Sequence, residues 1–295
     1  MADAIASILI SGLVLGSLYA LMASGLSLVW TTLGIFNFAH GVLMAVGAFF
    51  AFQISQSLLP YAWIGLPCLL ALVAMIFVGA VFEYVLVRPF YGREDMVMVT
   101  IMTTLAGLTF LENGILAIWG PRLKQIGALA PGTLSVGPVH LSWQESLTVL
   151  ITPFVLAATF LFMQHTQTGR AIRAVGQNRK AAELFGIPVQ RMFALTFAIS
   201  AVLAGLAGML LGSIRFMTPT MGSDPLVKAL IVVIFGGLGS IGGSIGAAYV
   251  IGFLEALLVF GVGLYWTPSI LFLIMIIVLL VRPQGLFGAA ERLTV

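Results

Sequence analysis

Eight long apolar segments run through this chain, and they constrain its fold more than any other feature. They lie near residues 5–29, 38–58, 61–87, 96–119, 145–163, 192–213, 226–260 and 268–281. A helix needs about 20 apolar residues to cross the hydrocarbon core of a bilayer. Only helices and closed barrels satisfy every backbone polar group in lipid, and these segments lack the alternation typical of barrel strands. The sequence therefore predicts an all-α, polytopic integral membrane protein.

The segment at 226–260 leaves the number of helices open. It is interrupted by GGLGSIGGS, so it is consistent with one broken span, two spans, or a span with a re-entrant piece. We therefore expect about eight or nine transmembrane helices. Only 8% of the 295 residues are charged, against about 25% in soluble domains, so a soluble domain is excluded. We predict a single transmembrane domain over residues 1–295.

The distribution of positive charge predicts the orientation of the chain. Loops that face the cytoplasm carry an excess of Lys and Arg. Such loops lie at 88–95 and at about 164–191, and Arg282 and Arg292 follow the last apolar segment. We therefore place both loops and the C-terminus in the cytoplasm and the N-terminus outside. This placement accounts for the net charge of +3, and we expect no nucleic-acid partner.

The longest predicted external loop, residues 120–144, alternates turn residues with short apolar pieces. This pattern is typical of a small hairpin on the outer surface. The loop is either a solvated connector or a contact for a partner that delivers a ligand.

The loop at 164–191 holds five of the thirteen cations together with the signals of two short helices. Thr168 is expected to cap the first helix, which Gly176 would end. Asn178 would cap a second helix, ended by Gly186 and Pro188.

In that second helix, Ala181, Leu184 and Phe185 fall on one apolar face, and Arg179 and Glu183 have the spacing of an ion pair. Such a helix suits the groove of a partner protein. The alternative is that the cations only retain the loop in the cytoplasm.

Several motifs resemble one family of transporters. KAAELFG, residues 180–186, resembles the E-A-A-x-x-x-G loop that bacterial ABC importer permeases dock into their ATPase subunits, although Lys180 stands where that pattern has Glu. The stretch around FNFAHG, residues 36–41, is similar to the opening of the LivH-type permeases for branched-chain amino acids. RPF at 88–90, TGRAIRAVGQN at 168–178, FGGLGSIGG at 235–243 and VRPQGLFG at 281–288 also resemble that family.

The resemblance implies the permease subunit of an ABC importer for leucine, isoleucine or valine in the bacterial cytoplasmic (inner) membrane, working by alternating access. Its partners would be two ATPase subunits, a second related permease and an external substrate-binding protein. The chain lacks G-x-x-x-x-G-K-[ST], so we expect no enzyme activity and assign ATP hydrolysis to the partners. The residues expected to couple to the ATPase are Arg170, Arg173, Lys180, Ala181, Ala182, Glu183, Leu184, Phe185 and Gly186.

Polar side chains inside the apolar segments are candidates for the translocation path, because burying them in a membrane is costly. These candidates are Asn37, His40, Glu112, Asn113 and Glu255. His40 is equally compatible with a neutral imidazole bonded to a neighbouring helix backbone. The sequence offers no recognisable catalytic set or metal cluster, so we expect neither a cofactor nor a metal.

Two alternative functions stay open at this point. Urea and short-chain amide permeases of the same family share these motifs. A self-sufficient secondary carrier would need its own intramembrane carboxylates, for which Glu112 and Glu255 are candidates.

Overall fold

The apolar segments fold into helices in the computed structural model, which describes residues 2–58, 63–127, 132–136 and 139–287. The α-helices are α1 (Ala2–Leu33), α2 (His40–Gln53), α3 (Gly65–Leu86), α4 (Met96–Trp119), α5 (Trp143–His165), α6 (Gln167–Gln177), α7 (Arg179–Leu184), α8 (Val189–Ile214), α9 (Ser223–Gly236), α10 (Ile241–Val262) and α11 (Thr267–Val281). A π-helical turn, Ile54–Leu58, extends α2, and a 3₁₀ turn, Arg88–Phe90, follows α3. The predicted all-α class is confirmed.

Six helices within the described ranges are long and apolar enough to cross a membrane, namely α1, α3, α4, α5, α8 and α10. Helix α11 is apolar but has 15 residues, and α2 and α9 have 14 each. The expected eight or nine transmembrane helices are therefore matched only roughly, because three apolar segments form shorter helices.

The predicted segment 226–260 is two helices. Helix α9 ends at Gly236, and Gly237 and Gly239 then take positive φ angles of 98° and 91°, which a side chain would disfavour. Ser240 caps the next helix, since its Oγ accepts a hydrogen bond from the Gly243 N–H at 3.0 Å. The glycines in GGLGSIGG therefore mark a turn between α9 and α10.

The helices at the centre of the fold form two similar sets. Helices α1 to α3 and α8 to α10 each run long, short, long, and each set packs against the other. Helix α1 lies along α10, α3 lies along α8, and α2 lies against α8. The buried core is therefore shared between the N-terminal and C-terminal parts of the chain.

Two contacts, one between helices and one between loop backbones, define the two ends of this bundle. At one end, Gly176 of α6 packs against the Thr31 carbonyl in the last turn of α1. At the other end, the Lys124 and Met217 backbones exchange hydrogen bonds of 3.3 and 2.7 Å. Helix α8 begins beside α7 and ends next to Met217, and its 26 residues span about 39 Å. The loop at 164–191 and the segment around 120–127 therefore lie at opposite ends.

The segment before α5 contains the predicted hairpin. Strand β1 (Thr133–Val136) pairs antiparallel with β2 (Val139–Ser142). Ser142 and Glu145 then form a capping box that starts α5, with hydrogen bonds of 3.2 and 2.9 Å. Residues 128–131 and 137–138 of the predicted loop, and Arg292 at the C-terminus, lie outside the described residues.

Candidate functional site

Two regions at opposite ends of the bundle carry the functional features, and the first is the loop that holds α6 and α7. Helix α6 is capped by Thr166, whose Oγ1 accepts from the Gly169 N–H at 2.9 Å. The predicted cap Thr168 is wrong, because the cap lies two residues earlier, at Thr166, and Thr168 is inside the helix, which begins at Gln167. Asn178 caps α7 as predicted, since its Oδ1 accepts from the Ala181 N–H at 3.0 Å.

The end of α7 is fixed by a Schellman motif. The Ile187 N–H donates to the Ala182 carbonyl at 3.1 Å, and the Gly186 N–H donates to the Glu183 carbonyl at 3.0 Å. Gly186 has a φ of +78°, which glycine adopts without the steric cost of a side chain. The backbone between Glu183 and Ile187 is therefore held in one defined turn.

This turn presents two apolar side chains to the outside of the fold. Leu184 and Phe185 are 89% and 87% exposed, and we call them the Leu184–Phe185 tip. Lys180 and Glu183 beside them are also exposed. On the opposite side of α7, Ala182 is buried in an apolar cluster with Val189, Met192 and Phe193 of α8. Helix α7 is thus anchored on one side and unpartnered, within the described chain, on the other.

Arg179 does not form the predicted ion pair with Glu183 in the described structure. Its guanidinium lies 5.5 Å from the centre of the Tyr91 ring and 5.6 Å from that of the Phe193 ring. These aromatic faces attract a cation more effectively than an exposed carboxylate in water. Tyr91 in turn donates a hydrogen bond to the buried Glu83 of α3, and burial together with this carboxylate raises the pKa of the Tyr91 phenol. Arg179 therefore ties the start of α7 to α3 and α8.

The other two cations named for this region differ in their contacts. Arg173 donates from Nη1 to the Gln164 side chain at 2.9 Å, which joins α6 to the end of α5. Arg170 is exposed.

The second region is a cavity of about 930 Å³ at the opposite end of the bundle. It lies between α1, α9 and α10, with the segment that joins α8 to α9 on its rim. Its walls are largely apolar and include Val14, Leu18, Met22, Met44 and Leu211. Both the size and the apolar lining are typical of small-molecule sites.

A cluster of charged side chains lies in the wall of this cavity. The Lys228 Nζ of α9 is 2.6 Å from Glu255 Oε1 of α10 and 2.9 Å from Asp224 Oδ2. The Tyr19 hydroxyl of α1 donates to Glu255 Oε2 at 2.6 Å. We call Tyr19, Asp224, Lys228 and Glu255 the charged cluster. It joins the three helices that surround the cavity.

Of the five predicted path residues, Glu255 lies in the cavity wall. His40 is fully buried outside it, between the Met22 carbonyl, 3.0 Å from Nε2, and the Ser200 hydroxyl, 3.2 Å from Nδ1. These contacts match the interpretation of His40 as an imidazole bonded to a neighbouring helix.

The remaining three path candidates also lie outside the cavity wall. Asn37 is buried and accepts from the Ala39 N–H at 3.0 Å, where it shapes the start of α2. Glu112 accepts from Ser223 at 3.3 Å, which links α4 to α9. Asn113 is exposed and donates to the Thr109 carbonyl of its own helix.

Comparison with known proteins now identifies the family. The model of the family described as "Branched-chain amino acid transport system / permease component" matches residues 8–280. The chain belongs to this permease family. The predicted LivH-type resemblance is thereby confirmed.

Individual relatives are similar in sequence to the permease over almost its whole length. It is 33% identical to the "High-affinity branched-chain amino acid transport system permease protein BraD" of Pseudomonas aeruginosa, over 96% of this chain and 95% of that one. It is 31% identical to the LivH permease of the same description from Escherichia coli, over 95% and 94% of the two chains. The ribose import permease protein RbsC of Escherichia coli is 28% identical, over 90% and 82%.

Three members of the charged cluster of the permease were not among the sequence candidates. Lys228 lies within the apolar segment 226–260, where a charge is costly, and this position was a usable signal. Asp224 precedes it by four residues, which is the spacing of a helical ion pair. Tyr19 gave no such signal, because only the packing of α1 against α10 brings it to Glu255.

Proposed function

We propose that this permease is the membrane subunit of an ATP-driven importer that carries branched-chain amino acids inward across the bacterial cytoplasmic membrane. The observation that carries the proposal is the Leu184–Phe185 tip. An apolar tip on a capped, anchored helix is a surface for a partner protein, since large exposed apolar side chains on a rigid element favour association. ATP binding and hydrolysis in that partner would drive alternating access of the cavity.

The partner in contact with the tip would be an ATPase subunit, with one copy for each of two related permeases. In this arrangement the coupling surface consists of the tip, the exposed residues of KAAELFG and the exposed Arg170 of α6, while buried Ala182 and half-buried Arg173 hold the two helices in place. The loop at about 164–191 faces the cytoplasm, since it carries five of the thirteen cations. Because the last turn of α1 contacts α6, the start of α1 lies at the outer end.

The cavity at the outer end would receive the amino acid from an external binding protein. Its apolar walls suit an aliphatic side chain, and Glu255 is the path candidate that lines it. The similarity to BraD and LivH, which are described as branched-chain amino acid permeases, favours branched-chain amino acids over urea or short amides, and the ribose permease is less similar. We infer that four path candidates support the structure around the path and do not contact the ligand, because none of them lines the cavity. These are Asn37, His40, Glu112 and Asn113.

Reconstitution tests the proposal directly. The permease pair, ATPase subunits and binding protein are placed in liposomes, and uptake of radiolabelled leucine is measured with and without ATP. Replacing Leu184 and Phe185 together by Asp is expected to abolish ATP-driven uptake while the permease stays inserted, because two charges would be buried in the apolar contact. The control is Leu123→Asp, which alters an exposed leucine at the other end of the bundle.

Unchanged uptake in the double Asp variant would exclude the tip as the coupling surface. Uptake by the isolated chain without ATP would replace the importer with a self-sufficient carrier. Transport of urea but not of leucine by the complete complex would assign the permease to the urea and amide branch.

A further inference from the structure

Lys228 is buried in a segment of the fold that is otherwise apolar, and this position needs an explanation. A buried ion pair contributes little net stability, because desolvation of both charges offsets their attraction. One carboxylate, Glu255 at 2.6 Å, is enough to compensate the lysine. A second carboxylate, Asp224 at 2.9 Å, is 66% exposed in its side chain, so its contact with Lys228 adds little to stability. Stability alone therefore does not account for the cluster.

The donors and acceptors of the cluster leave capacity for a ligand. A lysine ammonium has three N–H donors, and in the described structure the Lys228 Nζ has two carboxylate partners. The carboxylate of Glu255 is occupied on both oxygens, by Lys228 and by the Tyr19 hydroxyl. Asp224 lines the cavity, and its side chain is 66% exposed. A positive donor and a negative acceptor thus stand next to each other at the surface of the cavity.

The surroundings of this pair are apolar. Val14, Leu18 and Met22 of α1 line the same cavity and are buried. A molecule that carries a carboxylate, an ammonium group and an aliphatic side chain matches both features, because charged groups pair with the cluster and the side chain displaces water from the apolar wall.

We propose that the charged cluster binds the head group of a zwitterionic α-amino acid. The Lys228 ammonium donates hydrogen bonds to the carboxylate of the ligand, and the Asp224 carboxylate accepts hydrogen bonds from its ammonium group. Glu255 and Tyr19 are positioning residues that hold the Lys228 ammonium at the cavity surface. This inference rests on the proposed function, since it assigns the amino-acid contact within the same transport path.

The test uses the complete complex in liposomes, with initial rates of radiolabelled leucine uptake and of ATP hydrolysis. Asp224→Asn keeps the size of an exposed side chain and removes its charge, so the fold is expected to survive. We expect leucine uptake to fall by about tenfold or more, as loss of a charge-assisted hydrogen bond predicts, while ATP hydrolysis continues. The matched control is Asp95→Asn, which makes the same change on an exposed aspartate outside the cavity lining.

A second pair of variants separates binding by Lys228 from a structural role. Lys228→Met alone leaves Glu255 buried without its cation, so less complex is expected to assemble. Adding Glu255→Gln removes that unpaired charge and should restore assembly. If Lys228 holds the ligand carboxylate, the assembled double variant still takes up leucine about tenfold more slowly or worse.

The outcomes are distinguishable. If the wild-type complex takes up leucine and the Asp224→Asn variant takes it up at the same rate, the head-group assignment is wrong. The importer proposal then still stands. A double variant at Lys228 and Glu255 that transports at the wild-type rate would show that the ion pair is structural. A wild-type complex that takes up no branched-chain amino acid would overturn the proposed function itself.

Discussion

Replacing Gly208 by Ala should destabilise the permease, because α2 and α8 cross with their backbones in direct contact there. A Cβ atom on Gly208 would lie 1.9 Å from the Met44 carbonyl oxygen of α2. One turn away, a Cβ atom on Gly47 would lie 2.4 Å from Gly205 Cα. The obstacle in each case is backbone, so a side-chain rotation cannot relieve the clash. The two helices would have to separate.

The size of the effect follows from these distances. Ordinary van der Waals contact for a Cβ begins at 3.4 Å, so the gap between Gly208 and Met44 must open by 3.4 − 1.9 = 1.5 Å. A radial gap of about 0.5–1 Å already forfeits roughly a quarter to a half of the dispersion energy of the atoms that face it. Overpacking of this kind costs about 1–3 kcal/mol of unfolding free energy. The displacement would also reach Met44 and Leu211, which line the cavity.

The assay is equilibrium unfolding of the purified permease in mixed micelles, followed by tryptophan fluorescence. Gly114→Ala in α4 is the matched control, because nothing lies within 4 Å of its added Cβ. In an open helical position, alanine is expected to stabilise by roughly 0.5–1 kcal/mol relative to glycine. Equal unfolding free energies for the Gly208→Ala and Gly114→Ala variants would refute the reasoning, since the backbone contact between α2 and α8 would then be unimportant.

Two further substitutions test the anchoring of the Leu184–Phe185 tip. Gly186→Val forces a β-branched residue into a φ of +78° and should lower the local stability of the turn by at least about 1–2 kcal/mol. The amides of residues 186 and 187 should then exchange hydrogen faster, and unchanged exchange would contradict the role of the Schellman motif. Tyr91→Phe removes the hydrogen bond to buried Glu83 and should lower the unfolding free energy by about 1–3 kcal/mol; adding Glu83→Leu should recover part of that loss, and no recovery would contradict this cause.

The sequence predicted the helices well where length and hydropathy suffice. Helices α1, α3, α4 and α8 follow apolar segments that exceed the bilayer thickness, and Asn178 and Gly186 carry local signals that fix α7. Local chemistry determines such features, so they are readable without the fold.

The sequence was less informative where contacts between distant residues decide the outcome. The expected Arg179–Glu183 pair has the correct helical spacing, but Tyr91, 88 residues earlier, offers Arg179 a better partner. Likewise, Glu255 was recognisable as an unusual charge, whereas its partners come from α1 and α9. Helix packing brings these residues together, and the spacing of residues along one helix does not reveal that packing.

Two helices connect the loop at one end of the bundle with the cavity at the other. Helix α8 packs on α7 through Phe193 and lines the cavity through Leu211, a separation of about 27 Å along its axis. Helix α1 contacts α6 at Thr31 and lines the cavity at Met22. Because a helix held by internal hydrogen bonds moves as a rigid element, displacement of α6 and α7 by a partner would shift two walls of the cavity together. Helix α9, which carries Lys228 and Asp224, packs on α1 but not directly on α6 or α7 through the described contacts. The charged cluster would then experience such a displacement as a change in the distance between α1 and α9, across which the Lys228 Nζ lies 5.7 Å from the centre of the Tyr19 ring.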